Sequence, residues 1–310
     1  MEGGLTDEIR QLLNNRLDNL KNIHPITIDI FIYAIQRNEN AFEYIPEEMK
    51  TKELYLIAIR ENMFAFKYIP EELKTYDFYL EAVQQNGFIF KYIPEEMKTY
   101  ELCLMAIKKK GANIRYIPEE MKTYDLCLTA VKAEHHFFMA LEYIPEKMKT
   151  YKLCLAAVES YGNAFEYVPE AIKTYELCLI AVKKQAFMIK FVPEEMKTYE
   201  LCIFAVQKNA MMIKFMPEEM KTYDLCLDIV KRSGTALAYV PDKIKTYDIC
   251  LFAVQTNGLA LDYVPEEMKT KEICLFAYRS NKYCFNWIPE EIREYATQPV
   301  GSFTKPARRY

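Results

Sequence analysis

Histidine, tryptophan and glycine are scarce in this 310-residue sequence, which has three His, one Trp and eight Gly. It contains no glycine-rich phosphate loop, no Gly-x-Ser-x-Gly nucleophile motif and no His-Glu-x-x-His metal motif. We therefore expect a protein that is not an enzyme and that uses no metal or other cofactor. His24, beside Pro25, is interpreted as a loop residue.

Long apolar runs and a strong charge of one sign are also missing. No apolar stretch reaches the roughly 18 residues that a membrane-spanning helix needs. Residues 1–13 lack the basic and then apolar pattern of a secretory signal. The net charge is −4 and acids interleave with bases, which argues against nucleic acid as the main partner.

What the sequence does contain is a short internal repeat. The string "YIPEEMKTY" occupies residues 92–100 and recurs, nearly unchanged, at residues 116–124. Its proline returns every 24 residues, except for one step of 27 residues. The eleven prolines are Pro46, Pro70, Pro94, Pro118, Pro145, Pro169, Pro193, Pro217, Pro241, Pro265 and Pro289. A fixed short period predicts a stacked array in which each unit buries its apolar face against its neighbours.

The unit of residues 99–122 predicts two helices and a connector. Thr99 is a suitable N-cap, and the apolar run after it predicts a helix that is buried around most of its circumference. Gly111 is expected to end this helix in the left-handed conformation. A shorter helix over residues 112–116 follows, and Pro118 is expected at the first position of a single helical turn.

These features predict an all-α fold, an α-solenoid of eleven repeats of about 24 residues. Residues 1–26 are expected to form an N-terminal capping helix, residues 27–293 one solenoid domain, and residues 294–310 a tail. Because Arg293–Glu294 replaces the usual Lys-Thr, no further helix is expected to start there. A leucine-rich repeat fits the period, but its strand pattern is missing. The protein is expected to be a monomer.

Residues 253–277, "AVQTNGLALDYVPEEMKTKEICLFA", resemble the repeat family known as domain of unknown function 4116. Units of that family read roughly Ala-Val-x-x-Asn-Gly, then apolar residues, an aromatic residue and an acid-rich turn. The resemblance extends over about residues 27–293, with proline where the family often has alanine or serine. It implies a helical repeat architecture and no settled activity.

Cysteine is plentiful, but its placement does not favour disulfides or metal binding. Eight of the nine cysteines share one repeat position: Cys103, Cys127, Cys154, Cys178, Cys202, Cys226, Cys250 and Cys274. Equivalent residues of stacked helices lie about 8–10 Å apart, beyond the roughly 7 Å that a disulfide allows. We expect buried free thiols and a reducing compartment, the cytoplasm of the cell or of a host.

Three further ladders recur with the repeat. An aromatic column runs from Tyr44 to Trp287 and is interpreted as core, with a stacking platform for single-stranded nucleic acid as the alternative. A second tyrosine column, from Tyr76 to Tyr247, follows the capping threonines and is expected to be half exposed. A lysine ladder, from Lys98 to Lys269, is expected to form an exposed row that neighbouring glutamates neutralise.

Function is expected where the repeats differ. The 27-residue unit carries three extra residues, and His135, His136, Phe137 and Phe138 lie in it. Basic turns follow other helices: Lys108, Lys109, Lys110, Lys183, Lys184, Lys231 and Arg232. We expect a non-enzymatic scaffold that binds a protein partner, of a host-facing or effector type. The alternatives are a nucleic-acid-binding repeat protein, a metal or enzyme site at His135–His136, and a purely structural protein.

Overall fold

The computed structural model describes Leu20, residues 27–133 and residues 140–296. These ranges contain helices and no β-strand, which confirms the all-α class and the repeating helical architecture. The α-helices, α1 to α12 in order, are Ile28–Arg37, Lys52–Glu61, Tyr76–Gln85, Tyr100–Lys109, Tyr124–Lys132, Tyr151–Ser160, Tyr175–Lys184, Tyr199–Lys208, Tyr223–Arg232, Tyr247–Thr256, Lys271–Ser280 and Arg293–Ala296.

Two 3₁₀ elements follow each of α1 to α11. The first, called the second helix, spans Glu39–Tyr44, Met63–Tyr68, Gly87–Tyr92, Gly111–Tyr116, Ala140–Tyr143, Gly162–Tyr167, Ala186–Phe191, Ala210–Phe215, Gly234–Tyr239, Gly258–Tyr263 and Lys282–Trp287. The other, called the connector, spans Glu47–Met49, Glu71–Leu73, Glu95–Met97, Glu119–Met121, Glu146–Met148, Glu170–Ile172, Glu194–Met196, Glu218–Met220, Asp242–Ile244, Glu266–Met268 and Glu290–Ile292. Each repeat is therefore an α-helix with two short 3₁₀ segments.

Helices α1 to α11 each begin after a threonine at the predicted cap position. In α4, the hydroxyl of Thr99 accepts a hydrogen bond from the Leu102 amide at 3.3 Å. The same bond starts α2, α3 and α5 to α11. The prediction for the other end is wrong, because α4 ends at Lys109 and the next residue, its C-cap Lys110, is extended (φ −156°, ψ 109°). Gly111 then begins the second helix, and its φ lies outside the left-handed range.

Glycine is needed at this place because the second helix lies close to the next α-helix. A Cβ atom on Gly111 would lie 2.5 Å from the Ala130 carbonyl oxygen of α5. On Gly258 it would lie 2.1 Å from the Ala277 oxygen of α11. The small size of glycine, and not its conformational freedom, allows this approach.

The connectors form single turns as expected, but proline stands one residue earlier than predicted. Pro118 has φ −51° and ψ 142°, which places it at the cap and outside the turn. Its carbonyl accepts a hydrogen bond from the Met121 amide at 3.0 Å. Pro94 and Pro145 have nearly the same conformation. The fixed φ of proline suits this extended cap as well as a first helical position.

The α-helices bury one face and not most of their circumference, so that prediction is wrong. In α4, Leu102, Cys103, Ala106 and Ile107 are buried. Leu104 and Met105 remain partly exposed, because the other elements of the stack cover one side of the helix. We call the fifth and sixth positions of the α-helices the α-face.

The chain contacts form two compact units, Met1–Pro169 and Glu170–Tyr310. Within each unit the second helices of consecutive repeats pack against one another, as do the α-helices of most repeats. This nearest-neighbour packing is that of a repeat solenoid. That residues 27–293 form a single domain stays a prediction.

The predicted ends of the array are described only in part. Of the expected N-terminal cap, Leu20 is described, and it is buried against Ile30, Ala34 and Ala41. The rest of residues 1–26, and the tail beyond residue 296, lie outside the described residues. The expectation that no helix starts at Arg293 is wrong, because Arg293 takes the α conformation and α12 begins there.

Candidate partner-binding surface

The lysine ladder joins consecutive repeats and is not the exposed row that the sequence predicted. Lys98 donates from Nζ to the carbonyl of Tyr116 in the next repeat, at 2.8 Å. The same bond joins Lys122 to Tyr143, Lys173 to Phe191 and Lys221 to Tyr239. Lys98, Lys173, Lys197 and Lys221 are 5–8% exposed. The aliphatic stem of lysine can be buried when its ammonium reaches a carbonyl at the far end.

Glutamates contact the ladder lysines, as expected. In these pairs the glutamate is exposed and the lysine is largely buried. Glu146 lies 2.7 Å from Lys149, and Glu266 lies 2.7 Å from Lys269. Glu194 pairs with Lys197 in the same way. At Lys173, which pairs with Glu170 at 2.6 Å and also donates to the Phe191 carbonyl, the carboxylate neutralises an ammonium group that joins two repeats.

An asparagine at the end of several α-helices is a structural feature that the sequence analysis missed. The Asn86 side chain accepts from the Phe88 amide at 3.1 Å and donates to the Ile59 carbonyl of the preceding repeat at 3.0 Å. Asn62 makes the same pair of bonds. Its recurrence before the second helix was a signal, because asparagine is a preferred N-cap.

All nine cysteines lie in the described ranges, and all are free and buried. Burial raises the pKa of every one of these thiols to about 11. Cys103, for example, is fully buried in α4. A thiol with a raised pKa is a poor nucleophile and a poor metal ligand at neutral pH. The predicted burial of the cysteines is therefore confirmed.

The first aromatic column lies at the boundary of the core and not inside it. Tyr92 is 39% exposed and Tyr263 is 38% exposed, and the other members are partly buried. The Tyr92 ring stacks on Phe66 of the preceding repeat, with centroids 5.2 Å apart and planes 10° apart. The column therefore covers the edge of the neighbouring repeat.

The second tyrosine column is half exposed, as predicted. Tyr100 and Tyr199 are 46% and 47% exposed. The hydroxyl of Tyr76 lies 2.9 Å from the hydroxyl of Thr99, the cap of the next α-helix. This column therefore contacts the next repeat while one side of each ring faces solvent.

The basic turn Lys108–Lys110 contains two different environments. Lys108 and Lys109 are exposed at the end of α4, beside a cleft of about 900 Å³ between α3 and α4. This cleft is lined by Gln84, Gln85, Glu101, Leu104, Met105, Lys108 and Lys109. Lys110 instead lies with Nζ 3.3 Å from the ring centroid of Phe88, and partial burial lowers its pKa.

The basic turns of the second unit also differ from one another. Lys183 and Lys184 are exposed at the end of α7. Lys231 lies 4.7 Å from the Phe252 ring centroid. Arg232 donates to the carbonyls of Val206 and Gln207 at 3.1 and 2.8 Å, so this guanidinium caps the end of α8.

The predicted site residues of the 27-residue unit, His135, His136, Phe137 and Phe138, lie outside the described residues. In the described ranges, no three His, Cys, Asp or Glu side chains come together as a metal site requires. None of the described helices combines the length and apolar character needed to cross a bilayer.

Sequence reasoning also missed the exposed apolar side chains that differ between repeats. On the α-face, Phe252 is 38% exposed, and Phe204 and Phe276 are partly exposed. At the second position of the second helices, Phe64, Phe88 and Phe187 are 51%, 45% and 43% exposed. The signal was available, because these positions vary within an otherwise regular repeat.

One family model matches this chain repeatedly, and it is described as "Domain of unknown function (DUF4116)". Its matches cover residues 27–74, 51–98, 75–122, 99–149, 123–173, 150–197, 174–221, 198–245 and 246–293. The chain belongs to the DUF4116 family. Each match spans two consecutive repeats, and most successive matches begin one repeat apart. No curated protein and no solved structure matches the chain.

Proposed function

We propose that this protein is a non-catalytic scaffold that binds another protein through the surface of its helical repeats. The observation that carries this proposal is the separation of recurring from varying residues. The recurring Leu, Cys and Ala residues of the α-helices lie in the core, the threonines cap their own helices, and ladder lysines such as Lys98 bond one repeat to the next. The varying residues, including Phe187, Phe204 and Phe252, are exposed to solvent. A surface that varies over a constant interior is how repeat proteins present binding sites.

A second candidate function is binding of single-stranded nucleic acid, and one observation favours it. Basic side chains lie over rings of the first aromatic column, such as Lys91 over Tyr92 at 4.5 Å and Lys214 over Phe215 at 4.6 Å. Aromatic rings beside cations can stack bases and pair with phosphates. The free thiols favour a reducing compartment, the cytoplasm of the cell or of a host, for either function.

Affinity capture with the full chain from lysate of the source organism or host, with and without nuclease, tests the proposal. We expect a discrete protein partner that nuclease treatment does not remove. Two variant baits are compared with the parent chain. The double variant Phe204→Ser/Phe252→Ser should lose the partner if the α-face binds it, whereas Lys243→Ser, at an exposed position of a connector, is the control for nonspecific loss of the partner. Recovery that disappears with nuclease would favour the nucleic-acid function, and no partner in any lysate would contradict both.

A further inference from the structure

An aromatic and basic cluster on two consecutive second helices points to a specific ligand chemistry. Phe187 and Phe191 lie on Ala186–Phe191, and Phe215 lies on Ala210–Phe215. The Phe187 ring meets Phe215 edge to face, with centroids 5.7 Å apart, and meets Phe191 in the same way at 6.4 Å. Although it touches both rings, Phe187 remains 43% exposed. Its neighbours therefore fix an apolar ring in a solvent-facing position.

Two lysines flank this exposed ring. Nζ of Lys190 lies 5.7 Å from the Phe187 centroid, and Nζ of Lys214 lies 5.6 Å from it. Both lysines are exposed, and neither forms a salt bridge within the described part of the chain. The cluster therefore combines one exposed apolar ring with two positive charges that form no salt bridge among the described residues.

In the first unit, two side chains at similar positions already have a close partner. Lys67 pairs with Glu39 at 3.4 Å and also donates to Asn40 at 2.8 Å. Phe88 is 45% exposed, but the ammonium of Lys110 lies 3.3 Å from its ring centroid, much closer than either lysine lies to Phe187. The Phe187 cluster keeps both its ring and its charges open to a ligand.

We propose that the Phe187–Lys190–Lys214 cluster binds an acidic linear peptide segment of a partner protein. Carboxylates of the segment pair with Lys190 and Lys214, and an apolar side chain between them covers Phe187. Complementary charge sets the register and the association rate, and burial of the ring adds apolar contact. This site rests on the proposed scaffold function.

A peptide fits this surface better than a nucleic acid does. The connectors that follow the two second helices carry exposed carboxylates at Glu194, Glu195, Glu218 and Glu219. A phosphate chain running along the repeats would approach these negative charges. A short acidic segment needs to meet only the two lysines.

The test is fluorescence anisotropy of the full chain with a labelled decapeptide in which Phe and Leu alternate with Asp and Glu. We expect saturable binding that the double variant Lys190→Ser/Lys214→Ser weakens about tenfold, with a smaller salt dependence. The matched control, Lys243→Ser/Lys282→Ser, removes the same charge from two other exposed positions of the second unit and should leave the affinity unchanged. Circular dichroism checks that the variants are folded.

Three further binding measurements test whether charge, the Phe187 ring and a peptide ligand are each required. A peptide with Asn and Gln in place of the acids should bind about tenfold more weakly, because charge complementarity is lost. Phe187→Ser should lower the affinity for the acidic peptide while leaving the salt dependence of binding unchanged. Oligo(dT) that binds more tightly than the acidic peptide would overturn the proposal in favour of nucleic acid. Equal loss in the control variant, or no saturable binding up to about 1 mM, would also overturn it.

Failure of this site can be told apart from failure of the scaffold function. If the Lys190→Ser/Lys214→Ser bait captures the same protein partner as the parent chain, the scaffold function stands and the peptide site is wrong. If the parent chain captures no protein, the scaffold function itself is wrong, whatever the synthetic peptide shows.

Discussion

Lysine at the ladder position acts as a side-chain cap for the next repeat. In the second unit, Lys221 is 8% exposed and donates to the Tyr239 carbonyl at 3.0 Å. That carbonyl lies at the end of a 3₁₀ helix, where backbone acceptors lack a partner within the helix. The lysine therefore satisfies an acceptor that belongs to its neighbour.

We predict that Lys221→Met lowers the free energy of unfolding by about 1–3 kcal/mol, because the Tyr239 carbonyl loses its donor while the aliphatic packing is kept. The measurement is urea denaturation followed by circular dichroism. The control is Lys243→Met in the next connector, where the side chain is exposed and the expected change is within about 0.5 kcal/mol. Equal losses in the two variants would contradict the capping role.

The cysteine ladder makes stability depend on pH in the alkaline range. Burial raises the pKa of Cys226 and Cys250 to about 11, whereas an unfolded thiol titrates near its ordinary value of about 8.5. Between these values the unfolded chain releases protons that the folded chain keeps. The stability that the buried, protonated thiols contribute is therefore fully present below about pH 8.5 and is lost as the pH rises toward 11.

We predict that Cys226→Ala/Cys250→Ala reduces this alkaline loss of stability, by on the order of 1 kcal/mol per cysteine at pH 10. Urea denaturation at pH 7.5 and pH 10 measures the difference for parent and variant. Tyrosine and lysine titration is common to both proteins, so the comparison isolates the two thiols. The same pH dependence in both proteins would contradict deep burial of the thiols.

At the scale of the element, the residue that begins each second helix depends on how close that helix lies to the next α-helix. Gly258 and Gly87 begin equivalent second helices, yet the space around them differs. A Cβ on Gly258 would meet the backbone oxygen of Ala277, at 2.1 Å, whereas on Gly87 it would meet the Cβ of Lys109, at 3.1 Å. Side chains can move by a few tenths of an ångström more readily than a packed backbone can.

We predict that Gly258→Ala lowers the free energy of unfolding by more than about 2 kcal/mol, because a backbone carbonyl must shift. Gly87→Ala should change stability by less than about 1 kcal/mol, since the contact is smaller and alanine loses less backbone entropy than glycine. Thermal and urea denaturation of the two variants measure the difference. If both variants lose the same stability, close helix packing is not the reason for glycine.

The helix boundaries show which features of the fold the sequence of a single repeat can predict. The threonine caps, the apolar run and the break at proline were each readable, because they act within a few residues. The end of the α-helix at Lys109 was not readable from Gly111. A helix can end at an extended residue or a left-handed one, and packing against α5 decides between them.

At the scale of the whole molecule, the described bonds between repeats join neighbours. The lysine, asparagine and tyrosine bonds reach one repeat forward or back. In such an array stability is a sum of repeat and neighbour terms, so whole repeats can be removed without loss of the fold.

We predict that deleting residues 223–246 leaves a folded chain, because Thr222 then caps the helix that begins at Tyr247. Helical ellipticity per residue should be unchanged and unfolding should remain cooperative, with a lower urea midpoint. Deleting residues 223–234 is the control, because it joins the cap Thr222 to Thr235, near the start of a second helix, and should lose helicity. Equal behaviour of the two deletions would contradict the 24-residue unit.

The sequence by itself determined the period, the helical class, the capping threonines and the burial of the cysteines. These follow from local spacing and residue type, which act over a few residues and repeat eleven times. Only the tertiary structure decided that the ladder lysines are buried, that the first aromatic column lies at the edge of the core, and that Phe187 is exposed between two lysines. These depend on which neighbour each side chain meets across repeats, and sequence spacing along one repeat does not specify that distance or direction.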